Sequence, residues 1–233
     1  VGKTVVTTLS AASLRLKGIR VGVMKPVETG CHFGDHGVLR APDAELLRKA
    51  AAAEGLISDH ELCPYRFLYP VTPEIAAEKE GGQIDPQVIL DILDGLKRRF
   101  DLVLVEGAGG LLAPVARDLM IKDLVRMIGS SLFVVGRAGL GTINHCLLTV
   151  RAALSDSIPL SGIVLNAPLD LHGGDLSVED NARLISYYSG LPVWGPLPHD
   201  ESVSAGRTLP WESPLLSECV SPLVDAIEKT STL

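Results

Sequence analysis

Short runs in which nearly every residue is apolar alternate along this chain with longer amphipathic stretches. A strand covered on both faces reads as a continuous Val/Ile/Leu run. A helix reads as apolar residues three and four positions apart, so the alternation predicts βαβ units. The strand candidates are Arg20–Lys25 (RVGVMK), Asp101–Glu106 (DLVLVE), Ser131–Val135 (SLFVV), Gly162–Asn166 (GIVLN) and Pro192–Leu197 (PVWGPL). Helices are predicted over Val5–Lys17, Asp43–Glu54, Asp85–Arg99, Lys122–Met127, Thr142–Ser155 and Ser177–Tyr188, with a last one near Ser221–Thr230. Asp85 followed by Pro86 reads as an N-cap and a first-turn proline. The stretch Cys63–Thr72, with its aromatics and prolines, reads as an ordered excursion over the sheet. No repeat, low-complexity tract or linker interrupts the pattern. The expectation is a single α/β domain over residues 1–233, a mostly parallel central sheet with helices on both faces, whose chemistry lies beyond the carboxyl ends of the strands.

Composition sharpens this. Of the 233 residues 46% are hydrophobic but only 4% are aromatic, which suits a parallel sheet built from Val, Leu, Ile and Ala better than a β-sandwich. The net charge of -7 excludes nucleic acid as a general partner, although local N–H groups and one or two lysines suffice for an anionic nucleotide. Cys31, Cys63, Cys146 and Cys219 have no metal-ligand spacing and read as free thiols of a reducing compartment. No apolar run has the length of a membrane span and no signal peptide is evident, so a soluble cytoplasmic protein is expected.

Candidate chemistry sits where the strands end. Val1-Gly2-Lys3-Thr4, running into a helix, matches the back half of a phosphate-binding G-x-x-x-x-G-K-[ST] loop. There, backbone N–H groups hold phosphate, the lysine reaches the outer oxygens and the threonine ligates Mg²⁺; a bare G-K-T also occurs at ordinary helix starts. Lys25 ends the first strand ahead of Pro-Val-Glu-Thr-Gly, where a lysine needs either a surface or an anionic partner. Glu106 ends the second ahead of Gly107-Ala108-Gly109-Gly110, the place of a carboxylate that faces phosphate-bound Mg²⁺. Asp43, after Pro42, is explained locally as a helix cap, and alternatively as a second metal carboxylate. Asn166 ends the strand GIVLN and reads either as a turn former or as an amide for a base edge. His145 falls inside a helix pattern, while His32, His36 and His60 fall in loops without ligand spacing, so all read as surface or packing residues.

Taken together and in order, GKT, KPVETG, PDAELL, VEGAGG, VVGRAGLGTINH and VLN resemble the dethiobiotin synthetases, over Val1 to about Asp200. The resemblance implies a P-loop NTPase-like fold. It also implies an ATP- and Mg²⁺-dependent cyclo-ligase that carboxylates 7,8-diaminononanoate with CO₂, phosphorylates the carbamate and closes the ureido ring. It implies catalytic roles for Lys3 and Lys25, and nucleotide contacts from Val1, Gly2, Lys3, Thr4 and Val5. Metal ligation would fall to Thr4, Asp43 and Glu106, with further nucleotide contacts from Gly107, Ala108 and Gly109. Asn166 would read adenine, Pro198, His199 and Asp200 would line the base or ribose pocket, and Thr29 would bind the diamine. Leu140, Gly141 and Asn144 match a segment at a two-fold interface that holds the substrate tail, which implies a homodimer.

The family carries a short strand and a Gly-Thr-Asp-Thr-Gly-like loop before V-G-K-T, and this sequence starts at the valine. An N-terminally truncated representation of a functional enzyme, its first strand missing, is therefore expected. Two other readings stay open: a cobyrinate-type amidoligase, which needs a glutaminase part, and a partitioning-type ATPase switch, which carries an extra lysine early in its phosphate loop.

Overall fold

The computed structural model describes residues 1–34, 37–167 and 177–231, leaving aside the side chains of Ser177, Glu179 and Ser231. His36 lies outside the described residues. Contacts gather the chain into two compact units, one formed by Val1–Leu14 with Ser130–Leu233 and the other by Arg15–Gly129. Helix α1 (Lys3–Leu16) opens the chain and starts ahead of the predicted Val5, the Val6 N–H already bonding the Gly2 carbonyl at 3.0 Å.

In the unit Arg15–Gly129 the elements are β1 (Val21–Met24), β2 (Val27–Thr29), β3 (His32–Phe33), β4 (Leu39–Arg40), α2 (Pro42–Ala50) and α3 (Asp59–Leu62). They continue with β5 (Tyr65–Phe67), α4 (Pro73–Lys79), α5 (Pro86–Lys97), β6 (Leu102–Val105), β7 (Pro114–Ala116), β8 (Leu119–Met120) and α6 (Ile121–Ile128). Strands β1 and β6 pair in parallel from Val21 with Leu102 to Met24 with Val105, so both end at the same level. Strand β2 pairs in parallel with β5, which falls inside the predicted excursion Cys63–Thr72 and sets Glu28 opposite Arg66. Leu47, Ile57, Leu62, Ile89, Leu93 and Leu96 are fully buried in this unit. Helix α5 begins as its sequence predicts, with the Asp85 carboxylate accepting from the Gln87 N–H at 2.8 Å and Pro86 in the first turn. Helix α2 stops at Ala50 rather than Glu54, because Ala52 turns into the left-handed region at φ 50°.

The remainder of the other unit supplies β9 (Leu132–Arg137), α7 (Thr142–Ser155), β10 (Leu160–Asn166), α8 (Ser177–Ser189), β11 (Val193–Leu197), α9 (Glu201–Ser204) and α10 (Pro214–Ser231). Strands β9, β10 and β11 form an all-parallel sheet with β10 in the middle. Its core comprises Val134, Cys146, Val150, Ile163, Leu165 and Ile185. Helix α7 packs close on β9 because Gly136 has no side chain; a Cβ there would lie 2.7 Å from the Cys146 sulfur. Helix α10 begins at Pro214, well before the predicted Ser221. Pro222 lies inside this helix, whose ladder gives up one hydrogen bond there. These parallel βα units are the α/β class expected from the alternation, and no helix among the described residues is long and apolar enough to cross a membrane.

Candidate active site

The shared ending of β1 and β6 brings two of the candidates together. With Met24 level with Val105, the next residues of the two strands, Lys25 and Glu106, are neighbours, and the Glu106 N–H bonds the Met24 carbonyl at 2.9 Å. The Lys25 Nζ donates to Glu106 Oε1 at 2.9 Å and to Asp43 Oδ2 at 2.5 Å. Lys25 and Glu106 are 5% and 3% exposed, so the lysine does not mark a strand surfacing into solvent; its ammonium is buried against carboxylates. Burial alone would depress its pKa, but Glu106 and Asp43 outweigh that and hold it above the ordinary lysine value. Removing charge from water at such a depth costs several kcal/mol per ion, which only close, hydrogen-bonded partners offset.

The local reading of Asp43 as a helix cap is corrected here. The N-cap residue of α2 is Ala41, with no side-chain cap, and the Asp43 carboxylate turns instead to Lys25. The cap comes from another element. Glu28 on β2 accepts from the Asp43 N–H at 3.0 Å through Oε1 and from the Ala44 N–H at 2.9 Å through Oε2. Two of the N–H groups that every helix start leaves unsatisfied are thereby bonded by one buried carboxylate. Burial raises the Glu28 pKa, opposed by those two N–H bonds and by Lys25. Sequence reasoning passed over Glu28. The available signal was an acidic residue in a short strand, flanked by residues pointing to the opposite face.

Among the described residues no group of three or more His, Cys, Asp and Glu forms a ready-made metal cage. Two carboxylates that already hold a cation between them, here an ammonium, are an oxygen-only donor set. Such a set fits Mg²⁺, which takes one or two carboxylates and completes its shell with water and substrate phosphate. Thr29 ends β2 half-buried, and Gly107, Ala108 and Gly109 leave β6 with increasing exposure.

The other unit holds the remaining candidates. Gly2 adopts φ 98° just before Lys3 and Thr4 open α1. Asn166, 4% exposed at the end of β10, donates its amide to the Val1 carbonyl at 3.2 Å. A Cβ on Gly2 would lie 2.2 Å from that amide nitrogen, so glycine is required there on two counts. Asn166 is thus bonded to the loop ahead of α1. Pro198, His199 and Asp200 follow β11, with His199 Nε2 2.8 Å from the Ser204 hydroxyl. The Asp200 carboxylate caps α9 through the Ser202 and Val203 N–H groups and accepts from the Ser202 and Ser213 hydroxyls, each at 2.6 Å. These hydrogen bonds hold its pKa down at about 2. Leu140 is 84% exposed, and Gly141 and Asn144 are exposed at the start of α7. His145 on α7, His32 and His60 are all exposed, and the four cysteines are free thiols.

Known proteins resemble this chain at both levels. A family model described as an AAA domain matches residues 1–207. An ATP-dependent dethiobiotin synthetase BioD of Anaeromyxobacter sp. (strain Fw109-5) is 38% identical over 204 residues, covering 88% of this chain and 87% of the relative. The protein of the same description from Anoxybacillus flavithermus is 34% identical, covering 85% and 87%. Among solved structures, the MinC:MinD cell division protein complex of Aquifex aeolicus aligns with a TM-score of 0.58 at 15% identity, covering 100% of this chain and 92% of that one. The cell division ATPase MinD of Pyrococcus furiosus aligns with a TM-score of 0.58 at 17% identity, covering 98% and 93%. At that identity the structural likeness speaks for a P-loop NTPase-like fold alone.

Proposed function

Because this chain belongs to the dethiobiotin synthetase family, we propose that it is an ATP-dependent carbon–nitrogen ligase that makes dethiobiotin from 7,8-diaminononanoate and CO₂. One amine takes up CO₂ and loses a proton, giving a carbamate. A carbamate oxygen attacks the γ-phosphorus of ATP, ADP leaves, and a carbamic–phosphoric anhydride remains. The second amine attacks the carbamoyl carbon, the ureido ring closes, and phosphate and a proton depart.

The observation that carries this reading is the buried Lys25 ammonium, held by Glu106 at the end of the neighbouring parallel strand and by Asp43 at the start of α2. Phosphoryl transfer needs little covalent help from a protein; positioning and fixed charge lower its barrier. Lys25, kept protonated by its carboxylate neighbours, stabilises charge on the carbamate and the γ-phosphoryl group. Lys3 holds the β- and γ-phosphates, with the backbone of Val1, Gly2, Thr4 and Val5 around them. Thr4, Asp43 and Glu106 are the residues that would hold Mg²⁺, which when bound neutralises phosphate oxygens. Gly107, Ala108 and Gly109 offer backbone without bulk to the nucleotide, and Asn166 with Pro198, His199 and Asp200 receives adenine and ribose. Thr29 bonds the diamine, and Leu140, Gly141 and Asn144 hold the substrate tail in a cytoplasmic homodimer.

An assay with ATP, bicarbonate and 7,8-diaminononanoate decides the reading. Phosphate release that requires both the diamine and bicarbonate is expected. Release that ignores the diamine and instead needs a second protein would point to an ATPase switch.

A further inference from the structure

Glu28 has no part in the chemistry just described, yet it is 4% exposed and lies three positions along the chain from Lys25. Its two carboxylate oxygens each take one N–H from the start of α2, those of Asp43 and Ala44. Helix α2 has no other side-chain cap. We propose that Glu28 is a positioning residue: by capping α2 from β2 it fixes the Asp43 carboxylate against Lys25.

The reasoning is geometric. Asp43 is second in its helix after Pro42, so its Cα is set by where that first turn begins. One turn of slack at a helix start shifts a side chain by more than an ångström, and fraying is confined to such uncapped ends. Glu28 removes the slack with a two-pronged bond, and the short Lys25-Pro26-Val27-Glu28 segment joins the prongs to the ammonium that Asp43 must meet. A carboxylate at a helix start also gains from the helix dipole, so it suits the place better than a neutral group would. The cost is a buried anion near Asp43, tolerated because the charge of Lys25 favours it and because both its oxygens are bonded. Asp43 is only partly buried, its side chain 47% exposed, so little else confines it.

This inference rests on the proposed ligase function for its kinetic consequence, but not for its structural one. Glu28→Gln keeps the shape of the side chain and turns one acceptor into a donor facing an N–H group. Three measurements on the whole enzyme test it. Glu28→Gln is expected to lower kcat about 100-fold, the scale of an ångström misplacement at a reacting centre, with KM for ATP and diamine within about twofold. The same substitution made in an Asp43→Asn background is expected to lower kcat no further, whereas a merely structural glutamate would cost the same in both backgrounds. Amide hydrogen exchange at Asp43 and Ala44 is expected to accelerate in Glu28→Gln. Additive losses in kcat, or unchanged exchange at the two amides, would overturn the proposal. A wild-type enzyme without diamine-dependent phosphate release would overturn the ligase reading alone, and the amide exchange would still decide the role of Glu28.

Discussion

The two units hold their candidate site groups in different ways. In the unit Arg15–Gly129 charged side chains bond one another: Lys25 to Asp43 and Glu106, an ammonium between two carboxylates. In the other unit the polar side chains bond the main chain or nearby hydroxyls: Asn166 to the Val1 carbonyl, Asp200 to the N–H groups of α9 and to Ser202 and Ser213. A cluster of mutually paired charges can respond when a substrate brings more charge, because its partners are exchangeable. A side chain committed to the main chain instead fixes a shape. The first arrangement suits a transferring phosphoryl group, and the second suits a rigid seat for parts of a nucleotide that do not react.

The largest expected effect breaks the charged cluster. Lys25→Ala should lower kcat by about 10³, the scale of removing one electrostatic donor from a transition state, while the Kd for ATP changes only a few-fold. It should also destabilise the fold by about 3 kcal/mol, since Glu106 keeps its burial and loses the Lys25 ammonium. Equal losses in ATP affinity and turnover would place Lys25 in ground-state binding instead. The pH sign follows from the raised pKa of Lys25. Its stabilising contribution is complete below the ordinary lysine range and is lost only as pH rises through the higher folded value. Ionisation of Lys25 should therefore not limit the wild-type rate between pH 7 and the ordinary lysine value of 10.5.

A middle-sized effect tests the shape-setting unit. Gly2→Ala puts a Cβ against the Asn166 amide at a backbone angle that disfavours side chains, and should weaken ATP binding about tenfold. At saturating ATP, kcat should fall far less than in Lys25→Ala. Isothermal titration of ATP into the wild type and into Gly2→Ala reads the loss.

The smallest effect sharpens the comparison at one hydroxyl. Ser213→Ala removes one of the bonds that hold the Asp200 carboxyl at about 2, so its pKa should climb toward the ordinary aspartate value of 3.8. A depressed carboxylate stabilises the fold above its unfolded pKa and loses that contribution as pH falls through the folded value. In the variant this acid window should narrow from below, with turnover at neutral pH unchanged. A carboxyl ¹³C titration by NMR reads it directly.

Much of the layout was legible because it is local. The apolar runs placed β1, β6, β9, β10 and β11 within a residue or two, and α7 has its predicted bounds of Thr142 and Ser155. Lys25 and Glu106 stood out as charges closing apolar strands. Asp43 was locally ambiguous, because an aspartate after proline fits a cap as well as it fits a ligand. The last helix, expected near Ser221, begins at Pro214 instead.

What the chain's order of residues determined by itself was the alternation of elements, the parallel α/β class and the kinds of group delivered to each strand end, since these depend on neighbours within a few positions. Partnership was decided only by tertiary structure. Lys25 meets Glu106 across 81 positions because two strands happen to end level, and Glu28 caps a helix whose capped N–H groups lie 15 and 16 positions later because β2 runs beside its first turn. A hydrogen bond between distant residues leaves no periodic trace in a sequence; it depends on register and packing, which exist only once the chain has folded.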